Sequence, residues 1–458
     1  MAAMRLILDE ALTPDGWQRD VLVAWADGVF TEVTPLADAA GLPGVERVAG
    51  VAVPGVGNLH SHAFQRGFAG LTESRGGGAE DHFWTWREAM YRFANTIEPD
   101  DLRAIAALAQ IEMLESGFTG VAEFHYVHHA RDGRPYDDPA EMAAAVVAAA
   151  ETTGIGLTLL PVFYAHGGFG GHPTHAGQRR FVTDLDDFAE LHTSAAKAVV
   201  SLPGGRIGVA PHSLRAVSAD ELQALVSLRQ AGPIHIHIAE QIAEVEDCLA
   251  ATGQRPVDYL MDLVDVDANW CLVHATHVTQ AEIARMAACR ATVGLCPITE
   301  ADLGDGIFPG VDLVAAGGNF GVGSDSNVLI SLPQELRLLE QSQRLNDRAR
   351  NRLTRPPKST GRTLFDFAAN GGAAALANGC GRIAVGATAD LVVLDRTHPA
   401  LIARDGDARL DAWIFACPDN PVRDIWTRGR HVVIAGRHVA RDTVAAEWQR
   451  TQLRLSNR

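Results

Sequence analysis

From residue 51 onward the chain alternates between short apolar, strand-like runs and Ala- and Leu-rich helical stretches, and this alternation constrains the fold more than any other feature. The runs are VAVPGVGNLH, GVAEFHY, IGLTLLPVFY, RIGVAPH, PIHIHIA, WCLVHA, ATVGLCP and FGVGSD. Between them lie segments such as PDDLRAIAALAQIEMLESG, PAEMAAAVVAAAETTG, SADELQALVSLRQAG and TQAEIARMAACR. Strands separated by helices pair in parallel, because the crossover helix carries the chain back to the starting edge. About eight such units predict an α/β fold, a closed (β/α)8 barrel of the TIM type rather than an open sheet.

The two chain ends have a different pattern. MRLILDEAL, RDVLVAWADGVFTEV and ERVAGVAVPG at the start, and TADLVVLD and RDIWTRGRHVVIAGRHV at the end, read as short strands joined by tight turns. Asp27-Gly28 and Ala435-Gly436 suit two-residue hairpins. The ends are expected to form the halves of one small β-sandwich, giving residues 1–55 and 376–458 to the sandwich and 56–375 to the barrel. The stretch 345–362, NDRARNRLTRPPKSTGR, reads as a basic, solvated loop.

A net charge of −17 leaves no basic patch to neutralise phosphates, which argues against a nucleic-acid partner. No stretch approaches the roughly 20 uninterrupted apolar residues of a membrane span, and the N-terminus lacks the basic and apolar regions of a signal peptide. The six cysteines are scattered with no CxxC spacing, as expected of reduced thiols. The expected location is cytoplasmic.

In a barrel of this kind the site lies at the C-terminal ends of the strands. The first run ends in His60 and His62, which share one face because side chains alternate along a strand. The fifth ends in His235 and His237, with Glu240 just beyond; the sixth ends in His274 and the eighth in Asp325. His237 is nearer the active-site edge and is the expected ligand, whereas His235 lies deeper and is read as a hydrogen-bonded interior histidine. Nitrogen and carboxylate donors with an open position suit Zn²⁺, with Fe²⁺ as the alternative.

This set resembles the amidohydrolase superfamily, with its HxH, His, His and Asp at strands one, five, six and eight, and the resemblance extends over nearly the whole chain. Binuclear members use a carboxylated lysine or a glutamate on strand four. RIGVAPHSLR has neither, and the two lysines of the chain, Lys197 and Lys358, lie elsewhere. The resemblance therefore implies one metal per chain, on His60, His62, His237 and Asp325, as in the deaminase branch. In that chemistry zinc lowers the pKa of its water to about 7 to supply hydroxide, and Asp325 accepts the proton. Glu240 carries a proton to the departing nitrogen, while His274 polarises nucleophile and substrate. The resemblance also implies a homodimer.

Two guanidinium groups, Arg87 in HFWTWRE, read as lying on a loop, and Arg215 in PHSLR, with Tyr126 and His212 nearby, point to a carboxylate-bearing substrate, since an arginine fork matches a carboxylate with two parallel hydrogen bonds. The strings NLHSHAFQRGFAGL, FWTWRE, EFHYVHH, APHSLRAV, HIHIAEQ, LVHATH, CPITEADLGDGIFP and GSDSNVLISL resemble deaminases acting on a small imino acid. They imply hydrolysis of N-formimino-L-glutamate to N-formyl-L-glutamate and ammonia in histidine degradation, with substrate contacts at Gln65, Arg87, Tyr126, His212 and Arg215. The alternatives are a guanine- or thioadenosine-type deaminase, a related chlorohydrolase, or a non-catalytic barrel. The segments 71–95 and 164–182 are candidates for a lid or a subunit contact, and Trp17 for that contact or for the core of the sandwich.

Overall fold

The computed structural model describes residues 4–456 apart from 38–41, 43, 75–80 and 230; part of the 71–95 segment thus lies outside the described residues. Four strands open the chain, β1 (Met4–Thr13), β2 (Gly16–Ala26), β3 (Val29–Pro35) and β4 (Glu46–Pro54). Nine follow through the middle: β5 (Val56–Ser61), β6 (Phe118–His125), β7 (Gly156–Phe163), β8 (Arg206–Ile207), β9 (Ala210–Pro211), β10 (Ile234–Ile238), β11 (Trp270–His274), β12 (Thr292–Leu295) and β13 (Asn319–Val322). Four close it: β14 (Leu391–Leu394), β15 (Val422–Thr427), β16 (Arg430–Ile434) and β17 (Arg437–His438).

The two ends of the chain share one eight-stranded sheet, in the order β17-β16-β15-β14-β4-β1-β2-β3. Its hairpin turns are those the sequence suggests. Asp27 and Gly28 (φ 51° and 78°) join β2 to β3, and Ala435 and Gly436 (φ 52° and 80°) join β16 to β17. Positive φ at both positions matches the twist of the flanking strands. The run VAVPGVGNLH, expected as a single strand, is two. β4 ends at Pro54 within the terminal sheet, and β5 starts a different sheet after Gly55. Pro54 has no N–H to extend a ladder, and a Cβ at Gly55 would lie 2.2 Å from Thr119 Oγ1.

The middle strands form two parallel sheets, β5-β6-β7-β8 (with β9 beside β7) and β10-β11-β12-β13. Isolated parallel bridges connect them at both seams, Val209–Ile234 and Ser213–His237 on one side and Ser61–Asp325 on the other. The continuous ladder of a fully closed barrel is therefore interrupted. The expected fourth strand, RIGVAPH, is split into β8 and β9 around Gly208, where a Cβ would come within 2.4 Å of Pro233 O. Strands β6, β10, β11 and β12 are buried along their whole length, because helices cover the outer face of a parallel sheet. No helix among the described residues is long and apolar enough to cross a membrane.

One helix packs unusually close. In the helix Thr360–Leu376, Gly371 and Gly372 lie against the backbone of β13 and β5, where added Cβ atoms would sit 2.1 Å from Phe320 O and 2.4 Å from Gly57 O. Glycine weakens a helix interior by about 1 kcal/mol, so here close approach outweighs propensity. Gly371→Ala should lower stability by about 1–3 kcal/mol through overpacking, read as a depressed melting temperature. An unchanged melting temperature would mean that the helix shifts aside at no cost.

Candidate active site

At the end of β5, His60 and His62 lie on one face, as period-two alternation requires, and their Nε2 atoms are 3.2 Å apart. β10 brings His237 Nε2 to 3.0 Å from His60 Nε2. Asp325, just past β13, places Oδ1 3.6 Å from His60 Nε2 and 3.3 Å from His62 Nε2. All four side chains are buried.

This donor set fits a cation. His62 Nδ1 lies 2.9 Å from Phe124 O and His237 Nδ1 3.1 Å from His212 O. A carbonyl only accepts, so both Nδ1 atoms carry the hydrogen and donate. Burial pushes His62 down to about 3, and burial with neighbouring imidazoles pushes His60 and His237 well below the usual histidine range. Neutral rings protonated at Nδ1 turn lone pairs toward one another and toward a carboxylate. That arrangement repels itself until a positive ion occupies the centre, the carbonyl contacts serving to fix ring orientation.

Further titratable groups adjoin the cluster. His274 Nε2 is 3.7 Å from Asp325 Oδ2 and 3.8 Å from Glu240 Oε1, and its Nδ1 is 3.2 Å from Glu300 Oε1. Burial disfavours its charge, but Glu240, Glu300 and Asp325 prevail and raise its pKa well above the ordinary value. Burial, with Glu240 and Glu300 adding to it against His274, pushes the Asp325 carboxyl up to about 7. Three strand ends here have left-handed backbone at non-glycine residues: Ala239 (φ 51°) before Glu240, His274 (φ 68°) and Asp325 (φ 45°). Such conformations are costly and cluster at functional sites.

Every candidate residue except His60 lines one pocket. Opposite the histidines, its wall carries Arg87 and Arg215. Arg87 lies on the helix Phe83–Ala94, not on a loop as its Trp-rich string suggests, and stacks over the Trp84 ring at 4.3 Å. Among the described residues neither arginine has an ion-pair partner, and each leaves a buried Nε unbonded. Gln65 Nε2 donates to Tyr126 Oη at 2.8 Å, and His212 is packed edge-on to Tyr126 and Tyr164. His235 turns away and bonds Ala375 O at 2.9 Å. Sequence reading passed over Glu300, Tyr91 and Tyr164. Glu300 also accepts the Cys296 N–H at 2.8 Å, and its place in CPITE gave no spacing signal. Trp17 donates to Asp407 at 2.8 Å.

The amidohydrolase family model matches residues 51–432, and the chain belongs to that family. The model described as Formimidoylglutamate deiminase HutF, N-terminal domain, matches residues 5–48. The chain is 50% identical to a formimidoylglutamate deiminase of Pseudomonas aeruginosa over 96% of its own length and 97% of the relative's. A 5-methylthioadenosine/S-adenosylhomocysteine deaminase of Haloarcula marismortui is 28% identical over 83% of this chain and 81% of that one. Among solved structures, an amidohydrolase from Brucella melitensis superposes with a TM-score of 0.94 at 49% identity, covering 99% of each chain. Atrazine chlorohydrolase from Arthrobacter aurescens, complexed with zinc, shares the fold at a TM-score of 0.83 and 19% identity, over 98% of this chain and 100% of that one.

Chelated protein titrated with Zn²⁺ should gain thermal stability as the ion binds, and saturate at one equivalent. His60→Ala removes the nitrogen that faces both other imidazoles, and should bind no ion by elemental analysis. Two tightly held ions per chain would contradict the single-ion geometry.

Proposed function

We propose that this chain is a formimidoylglutamate deiminase, hydrolysing N-formimino-L-glutamate to N-formyl-L-glutamate and ammonia in histidine degradation. The observation that carries this reading is the pair of half-buried guanidiniums, Arg87 and Arg215, each with a buried, unbonded Nε and no ion-pair partner among the described residues, in the same pocket as the histidine–aspartate cluster and Glu240. The 50% identity to the Pseudomonas enzyme supports it. A carboxylate-bearing substrate supplies what those arginines lack; a purine would leave them unmatched.

His60, His62, His237 and Asp325 would hold one divalent ion per chain, zinc with iron as the alternative, and that ion would make a water nucleophilic near neutral pH. Arg87 and Arg215 bind the carboxylates, with Gln65, Tyr126 and His212 filling the pocket between. This orientation sets the formimino carbon toward Asp325 and His274. Asp325 takes the proton of the attacking water, and His274, braced at Nδ1 by Glu300, directs Nε2 at the developing charge. Glu240 delivers a proton to the imine nitrogen. Collapse of the tetrahedral carbon, its hydroxyl proton passing to the same nitrogen, then expels that nitrogen as ammonia and leaves the formyl group on glutamate, while the proton held by Asp325 restores Glu240. We further take the two parallel sheets as one (β/α)8 barrel over residues 56–375, and the terminal sheet as a sandwich of residues 1–55 and 376–458. The enzyme is proposed as a cytoplasmic homodimer.

Ammonia release should be seen with N-formimino-L-glutamate and not with guanine or 5′-methylthioadenosine. Glu240→Gln retains shape but transfers no proton, so turnover should fall by roughly 10²-fold or more while metal content stays constant; loss of the metal would make Glu240 a ligand instead. Arg215→Met leaves a substrate carboxylate without its partner, a loss of about 2–5 kcal/mol. Its kcat/KM should drop at least about thirtyfold for formiminoglutamate and far less for an analogue lacking the carboxylates. Equal losses for both compounds would remove the carboxylate assignment.

A further inference from the structure

The segment 164–182 follows β7 and reaches back to the pocket. It is pinned there by Arg180, whose buried guanidinium donates to the carbonyls of His129 (2.6 Å), Ala94 (2.5 Å) and Ile97 (2.7 Å). Within it Gln178 is fully buried, and its amide orientation is fixed chemically. The His175 N–H donates to Gln178 Oε1 at 2.9 Å, so the other end of the amide must be the NH₂. That NH₂ meets Tyr164 Oη at 2.6 Å and Tyr91 Oη at 3.3 Å.

A phenol hydroxyl has one hydrogen to give and lone pairs to accept with. Both oxygens accept from Gln178, so neither hydroxyl can spend its own hydrogen there. Among the described residues no acceptor is found for either hydrogen. Tyr91 and Tyr164 line the pocket beside Arg87 and Arg215, which can only donate; the unbonded acceptor Gln65 Oε1 of the same pocket belongs to the amide that donates to Tyr126. Glu221, on the helix Ala219–Leu228, is engaged by His166 at 2.9 Å.

We propose that Tyr164 is a specificity-determining residue that donates its hydroxyl hydrogen to the substrate carboxylate gripped by Arg215, and that Gln178 is the positioning residue that forces this polarity. The inference rests on the reading of a carboxylate substrate given above. It makes the segment 164–182 a fixed wall of the anion pocket.

The test compares Tyr164→Phe, Gln178→Glu and the double variant in the metal-loaded enzyme. Gln178→Glu preserves size and the bond from the His175 N–H, but replaces the donor with an acceptor that draws the hydroxyl hydrogens away from the pocket. Each single variant should raise KM for N-formimino-L-glutamate about tenfold, as expected for loss of a hydrogen bond to a charged group, with a much smaller fall in kcat. The double variant should be little worse than either single one, because both remove the same bond. A merely structural role would lower the melting temperature and kcat together and give additive losses. Unchanged KM in Tyr164→Phe, a conservative change that keeps the ring, would overturn the proposal. Calorimetric binding of N-formyl-L-glutamate serves as a second arm. If the wild type released no ammonia, the reaction assigned above would fail, and equal affinity of wild type and Tyr164→Phe for this dicarboxylate would independently refute the role of Tyr164.

Discussion

The site depends on one short backbone contact between the first and last strands of the parallel array. The His62 N–H donates to Asp325 O, and the Asp325 N–H donates to His60 O, each at 2.9 Å. This pair sets the HxH motif against an aspartate more than 260 residues away. Buried side chains lock it. Asn58 Oδ1 accepts the Ser324 N–H at 3.0 Å, and Asn58 Nδ2 donates to Ser324 Oγ at 2.6 Å. Asn327 Nδ2 lies 3.1 Å from Ser61 Oγ, His62 O and Asp325 O. A buried polar network rigidifies only when its members are satisfied; this one is, and it holds His60, His62 and Asp325 side by side.

Two opposite demands meet in the pocket. One wall is built to attract a cation, with neutral imidazole lone pairs and an aspartate. The other carries two guanidiniums, Arg87 and Arg215, which suit an anion on the reading proposed above. A molecule with carboxylates at one end and a hydrolysable imine at the other can enter in only one orientation. Positioning of that kind lowers a barrier by fixing the approach in advance.

Much of this was legible in the sequence, because it follows from short-range periodicity. His60 and His62 converge because they are two residues apart on a strand, and Asp27-Gly28 turns because both residues adopt positive φ. Where distant packing decides, the sequence was silent. In VAVPGVGNLH the proline marks a break in the ladder, but nothing local announces that the strand changes sheets there or that Gly55 must lack a Cβ because Thr119, more than sixty residues on, packs against it. Arg87 was identified by its charge but misplaced on a loop, because the helix around it begins beyond a Gly-rich stretch. Tyr164 and Gln178 lack a motif altogether; their role comes from an amide orientation set by one backbone N–H.

The terminal sheet also bears on the order in which the chain acquires its structure. β4 is bordered by β1 on one side and β14 on the other, with Val53 opposite Val392. Only Gly55 separates β4 from the strand that carries His60 and His62. An emerging chain thus finishes the N-terminal border of its catalytic strand only after more than 390 residues have been synthesised. Contacts so far apart in sequence are slow to form, because the intervening chain must first give up its freedom. Until then the edge of β4 is an open strand edge, the kind of surface on which nascent chains pair wrongly. Completion of the C-terminal strands is therefore the step that protects the newborn protein as well as the one that finishes its sheet.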